Sequence, residues 1–113
     1  MNKFELFTMI YMALDAYYDK DNTTEEINTF LSDMCPYTFT DLTSAMPEVY
    51  DDFVRFVGNR EITIDNSYEI AEAYIRQLKN IDVTEAFDDE LRSIWKDSCE
   101  EYLTSDHLGK DQK

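Results

Sequence analysis

Read as a bare sequence, this chain predicts an all-α protein, a compact single-domain bundle of about five helices with an apolar N-terminal helix in the middle. Three features carry the expectation. At 113 residues the chain has the length of one domain. Its apolar residues, 43% of the total, recur at three- and four-residue spacing in successive stretches. Only two glycines and two prolines leave little material for hairpin turns.

The first helix is expected over about residues 2–19, with Phe4, Phe7, Ile10, Tyr11, Leu14, Tyr17 and Tyr18 on one face. Leu6, Met9, Met12, Ala13 and Ala16 cover most of the remainder, and a helix apolar nearly all round belongs at the centre of a fold. Asn22 or Thr23 caps a second helix, with Glu25 and Glu26 as capping-box partners. Ile27, Phe30, Leu31 and Met34 form its buried face, and Pro36 follows its end. Pro47 suits the first turn of a third helix, which continues through Val49, Tyr50, Phe53, Phe56 and Val57 to a stop at Gly58.

Residues 60–65 (REITID) alternate polar and apolar. A single short strand has no partner, so they read as an extended connector. Asn66, with Glu69 three positions on, opens a fourth helix whose core face is Ile70, Ala71, Tyr74, Ile75 and Leu78; Asn80 ends it. The last helix starts at Thr84 or Asp88 and runs to Leu103, aligning Phe87, Leu91, Ile94, Trp95, Ser98 and Tyr102. Residues 1–104 make the helical domain, and 105–113 a polar C-terminal tail.

Charge restricts the partners. Against 25 acids stand 10 bases, a formal net charge of -15. On a folded surface of roughly 6,500 Å², direct binding to a phosphate backbone or an anionic membrane is opposed by like charge. No apolar run approaches the ~20 residues that span a bilayer. Glu5 interrupts the N-terminal apolar stretch, which also lacks a basic flank, so a cytoplasmic protein is expected. Cys35 and Cys99 are too far apart for a metal knuckle and too few for a disulfide framework.

Catalytic chemistry finds little footing, and the chain reads as a non-enzyme without cofactor or metal. The lone histidine, His107, falls in the tail, where a solvated side chain is expected, so neither a nucleophile–histidine pair nor a zinc site can be assembled. Asp19-Lys20-Asp21-Asn22-Thr23 begins like a calcium loop, but Thr24 stands where its glycine should be and Phe30 where its bidentate glutamate should be. The phosphate-binding glycine motifs and the GxSxG elbow are absent from the sequence.

The acids are distributed unevenly. Three basic residues have helical partners at i−4, in Asp51–Arg55, Glu72–Arg76 and Asp88–Arg92. Acids at helix N-termini are explained by the dipole, but Asp97, Glu100 and Glu101 lie near the C-terminal end of the last helix, against that preference. Eight tyrosines add rigid contact faces with polar tips. Asp51, Asp52, Asp88, Asp89, Asp97, Glu100, Glu101, Tyr50 and Tyr102 are accordingly the candidate partner-binding residues, and a basic protein is the candidate partner.

The segments LDAYY (14–18), FLSDMCPYTF (30–39), SAMPEVYDDFVRFV (44–57) and EITIDNSYEIAEAYI (61–75), in a short, acidic, tyrosine-rich helical chain, resemble small immunity-type proteins of bacterial polymorphic toxin–immunity pairs. The resemblance covers most of residues 10–103. It implies inhibition without turnover, an acidic patch masking the basic cleft of a cognate toxin domain. It transfers no residue roles. Two other readings stay open: an acidic adaptor or subunit of a larger complex, and a phage-type nucleic-acid mimic.

Overall fold

A computed structural model describes residues 1–19 and 22–110. Lys20 and Asp21 of the calcium-loop-like stretch, and residues 111–113 of the C-terminal segment, lie outside the described residues. The chain forms five α-helices: α1 (Lys3–Tyr17), α2 (Glu25–Met34), α3 (Pro47–Val57), α4 (Ile64–Gln77) and α5 (Asp89–Thr104), with a 3-10 turn at Thr84–Ala86 before α5. The all-α bundle is as expected.

Helix α1 is the hub. It packs on all four other helices and on the 3-10 turn, and every residue from Phe4 to Ile10 is buried. Complete burial of a side chain such as Phe7 or Leu14 stabilises by about 1.5–3 kcal/mol, so this helix carries a large share of the core. Asn2 starts it with a capping box: its side chain accepts from the Glu5 N–H at 2.7 Å, and its own N–H donates to Glu5 Oε1 at 2.8 Å. Aromatic rings tie α3 to this hub. Tyr50 meets Phe4 and Phe7 edge-on at 5.5 and 5.1 Å, and Phe53 meets Phe7 and Tyr74.

Helix ends depart from expectation by a residue or two, for local reasons. Thr24, not Asn22 or Thr23, caps α2, accepting from the Ile27 N–H. Helix α4 opens two residues before Asn66, because Thr63 is its N-cap and Asn66 completes a capping box with it. The extended connector therefore stops at Thr63, and Ile64 and Asp65 are helical. Pro47 opens α3, and Gly58, at φ 61°, closes it. Both expected starts for the last helix are used: Thr84 opens the 3-10 turn, and Asp88 caps α5 by accepting from the Leu91 N–H.

The seam between α4 and α5 is organised around Trp95. Its indole N–H donates to Ser67 Oγ at 2.8 Å, and Ser67 donates in turn to the Ile64 carbonyl. The buried Cys99 Sγ lies 3.9 Å from Ser67 Oγ. Cys35 and Cys99 are both free thiols. Ile94, expected on the buried face, is 50% exposed, since Trp95 and Cys99 centre that face on an arc that Ile94 misses.

The chain also closes on itself. Residues 105–110 fold back onto α1, against the expectation for His107. The His107 ring stacks on Tyr102 at 4.2 Å, its Nε2 lies 2.7 Å from Glu5 Oε2, and both side chains of this ion pair are only 7% exposed. Asn2 Nδ2 donates to the Gly109 carbonyl at 2.8 Å. Gly109 adopts φ +88°, and a Cβ there would stand 3.0 Å from Phe4 Cδ2, so the approach requires glycine.

Candidate partner-binding surface

Helix α5 lays its charge along one side. Asp89, Ser93, Asp97, Glu100 and Thr104 follow one another at three- and four-residue spacing, with Glu90 and Glu101 on the same arc and Lys96 on its flank, and all are exposed. The acids from Asp89 to Glu101 span about 18 Å at 1.5 Å per residue. Among the described residues, no base stands within ion-pair distance of any α5 acid; the ion pairs there are Asp52–Arg55, Glu72–Arg76 and Glu5–His107. Arg92, expected to answer Asp88, lies instead over the Tyr68 ring, 5.3 Å from its centroid. Tyr68 also donates from its hydroxyl to the Asp88 carbonyl. The cation is held by an aromatic face one helix away, and the Asp88 carboxylate is taken up by capping.

Asp51 and Asp52 belong to another face. Both are exposed on α3, which packs on α1, α2 and α4. Arg55 bonds Asp52 at i−3, not Asp51 at i−4 as its spacing invites. With both side chains more than half exposed, that pair contributes at most about 1 kcal/mol. Asp51 keeps its charge unpaired among the described residues.

The tyrosines divide in two groups. Tyr50 and Tyr102, chosen with the acids, are half-buried: Tyr50 packs on the α1 phenylalanines, and Tyr102 stacks on His107. Burial pushes the pKa of each up to about 12. Near the Tyr102 hydroxyl lies buried Thr8 Oγ1, outside hydrogen-bonding geometry. The aromatics that do face outward are Tyr37, 58% exposed, and Phe39, 46% exposed, in the segment between α2 and α3. Tyr37 meets Tyr11 edge-on at 5.9 Å. Burial of its ring, followed by the proximity of Cys35 and Asp15, raises its pKa. It also lies close enough to Tyr102 to raise that hydroxyl's pKa.

Tyr37 therefore lies near Tyr102 at the C-terminal end of α5, and exposed Asp15 adds a carboxylate on its α1 side. Asp97, Glu100, Glu101 and Tyr102 are brought together by α5 itself. Tyr37 and Asp15 extend the surface and are not among the residues that charge alone singles out; Phe39 is exposed in the same segment. Their signal was nevertheless present: Tyr37 and Phe39 sit between Pro36 and Pro47 without the helical spacing that would bury them.

These features define a class: a small acidic α-helical bundle with a carboxylate-lined helix beside an exposed tyrosine. No known protein family, curated protein or solved structure matches the chain. No helix among the described residues is long and apolar enough to cross a membrane.

Proposed function

We propose that this chain is a non-catalytic inhibitory binding protein, an immunity protein that occludes the basic surface of a cognate toxin domain. The observation that carries the reading is the outer side of α5, where five acids lie exposed without ion-pair partners among the described residues. Helix stability does not call for the last three, because carboxylates toward a helix C-terminus oppose its dipole. A cationic partner would supply the missing countercharge. Tyr37, beside Tyr102, would provide a desolvated aromatic anchor of the kind an interface needs. The acids around it would mainly speed association.

The test is co-expression with a candidate toxin, a protein encoded beside this one that ends in a basic domain. Growth rescue and a salt-sensitive complex are expected. Asp97→Lys, Glu100→Lys and Glu101→Lys together should cut the association rate at least tenfold, and Tyr37→Ala should shorten the complex lifetime. Rescue unaffected by either change would end this assignment of the surface.

A further inference from the structure

A second surface lies away from α5. Helices α2 and α3 and the end of α4 enclose an open groove of about 840 Å³. Phe30, Val49, Phe56, Leu78 and Ile81 line it, each only partly buried. We propose that this groove docks an amphipathic helix of a protein partner, one carrying apolar side chains on one face with basic residues beside them.

The walls select the occupant. Two are helices with their backbone groups bonded internally, the third is the short segment that follows α4, and among the described residues there is no strand to extend. A helix brings its backbone hydrogen bonds already made, whereas an extended peptide finds no strand edge here to pair with. Charge sets the rest. On the α2 wall Glu26 and Asp33 stand seven residues, hence about 10 Å, apart. Neither has an ion-pair partner among the described residues. The Asp52 carboxylate on the α3 wall is already answered by Arg55. Lys79, where the chain leaves α4, is a cation of the lining without an ion-pair partner among the described residues, so the basic flank of the occupant lies against α2 and away from the α4 end. Two basic residues two turns apart on the incoming helix would meet the α2 acids while its apolar side chains cover Phe30 and Phe56. A second copy of this chain is a poor occupant, because it brings another net charge of -15. This inference does not depend on the α5 surface.

The probe is a designed helical peptide with leucines at i, i+4 and i+7 and arginines seven residues apart on the flank. A scrambled peptide of the same composition serves as control. Binding is read by fluorescence anisotropy and mapped by NMR shift changes. The designed peptide should bind at least tenfold tighter than the scrambled one, with shifts concentrated at Phe30, Val49, Phe56 and Ile81. Thr29→Arg, an exposed change on the groove wall, should weaken it tenfold while circular dichroism stays native. Glu26→Lys with Asp33→Lys should weaken it far more than Asp89→Lys with Asp97→Lys, which shifts net charge equally on another face. Equal loss from the two charge pairs, equal binding of the two peptides, no binding, or a groove filled by self-association in sedimentation would each overturn the proposal.

Discussion

His107 Nε2 lies 2.7 Å from Glu5 Oε2, so a residue near the end of the chain holds the first turn of its first helix. One carboxylate does two jobs there, since Glu5 Oε1 accepts the Asn2 N–H that closes the capping box. His107 Nδ1 lies 2.8 Å from the Ser105 carbonyl. The two ring nitrogens thus tie the imidazole at once to the Ser105 carbonyl and to the Glu5 carboxyl group. The contact is also nearly dry, with 7% exposure on either side.

Breaking a buried pair by removing one partner costs about 3–5 kcal/mol when the orphaned charge stays buried. Here the 105–110 segment can lift and admit water to Glu5, so His107→Ala is expected to cost about 1–3 kcal/mol in urea denaturation. Glu5→Gln, His107→Ala and the double variant should show a coupling of at least about 1 kcal/mol. Purely additive losses would mean that the contact holds nothing.

Reversing Asp97, Glu100 and Glu101 to lysine should leave the melting temperature unchanged or raise it. A cation at 101 would sit in the last turn, where the helix dipole favours it by about 0.3–1 kcal/mol at low salt, and the net charge of -15 would fall in magnitude. A clear drop in melting temperature would make these acids part of the fold instead of a docking face.

Salt should stabilise the free protein. The exposed ion pairs that salt would weaken are Asp52–Arg55 and Glu72–Arg76 among the described residues, against a large excess of like charge. Shortening the Debye length from ~30 Å at 0.01 M to ~8 Å at 0.15 M screens mainly repulsion. Calorimetry across that range should show the transition moving upward, and a downward shift would contradict the charge distribution described here.

Alkali should unfold the chain through its tyrosines. Burial pushes Tyr50 and Tyr74 up to about 12, whereas an unfolded tyrosine titrates near ~10. With the folded value the higher one, the native state holds these protons more tightly. Their stabilising contribution is complete below pH ~10 and is lost as pH rises toward ~12. Tyrosinate absorbance and helical circular dichroism should change together in that window. Full ionisation with the helices intact would show that these rings are more accessible than their packing indicates.

Ser67→Ala removes the acceptor for the Trp95 indole N–H. A buried donor left without a partner costs about 1–3 kcal/mol, and urea denaturation should register a loss of that size. Trp95→Phe with Ser67→Ala should cost less than the sum of the separate changes.

Much of the fold is legible in the sequence because helical spacing and caps are local. Pro47 and Gly58 mark the ends of α3, and the all-round apolar character of residues 4–14 announces a central helix. What the sequence hides is long-range. Arg92 has an acid at i−4, yet Tyr68, brought in by α4, takes the cation. His107 reads as a tail residue because its partner lies 102 positions away. The candidate surface was half visible: the α5 acids share a face by periodicity alone. Whether a tyrosine faces water or core is decided by tertiary packing: composition and spacing do not separate half-buried Tyr50 and Tyr102 from exposed Tyr37.

Trp95 is the only indole in the chain, and it is 2% exposed in the α4–α5 seam. Native emission therefore monitors that seam and little else. Ligands arriving on the outer side of α5 or at the distant groove should leave the spectrum nearly silent, while any event that parts α5 from α4 should shift it to the red. A single label-free optical channel can thus tell docking from unfolding.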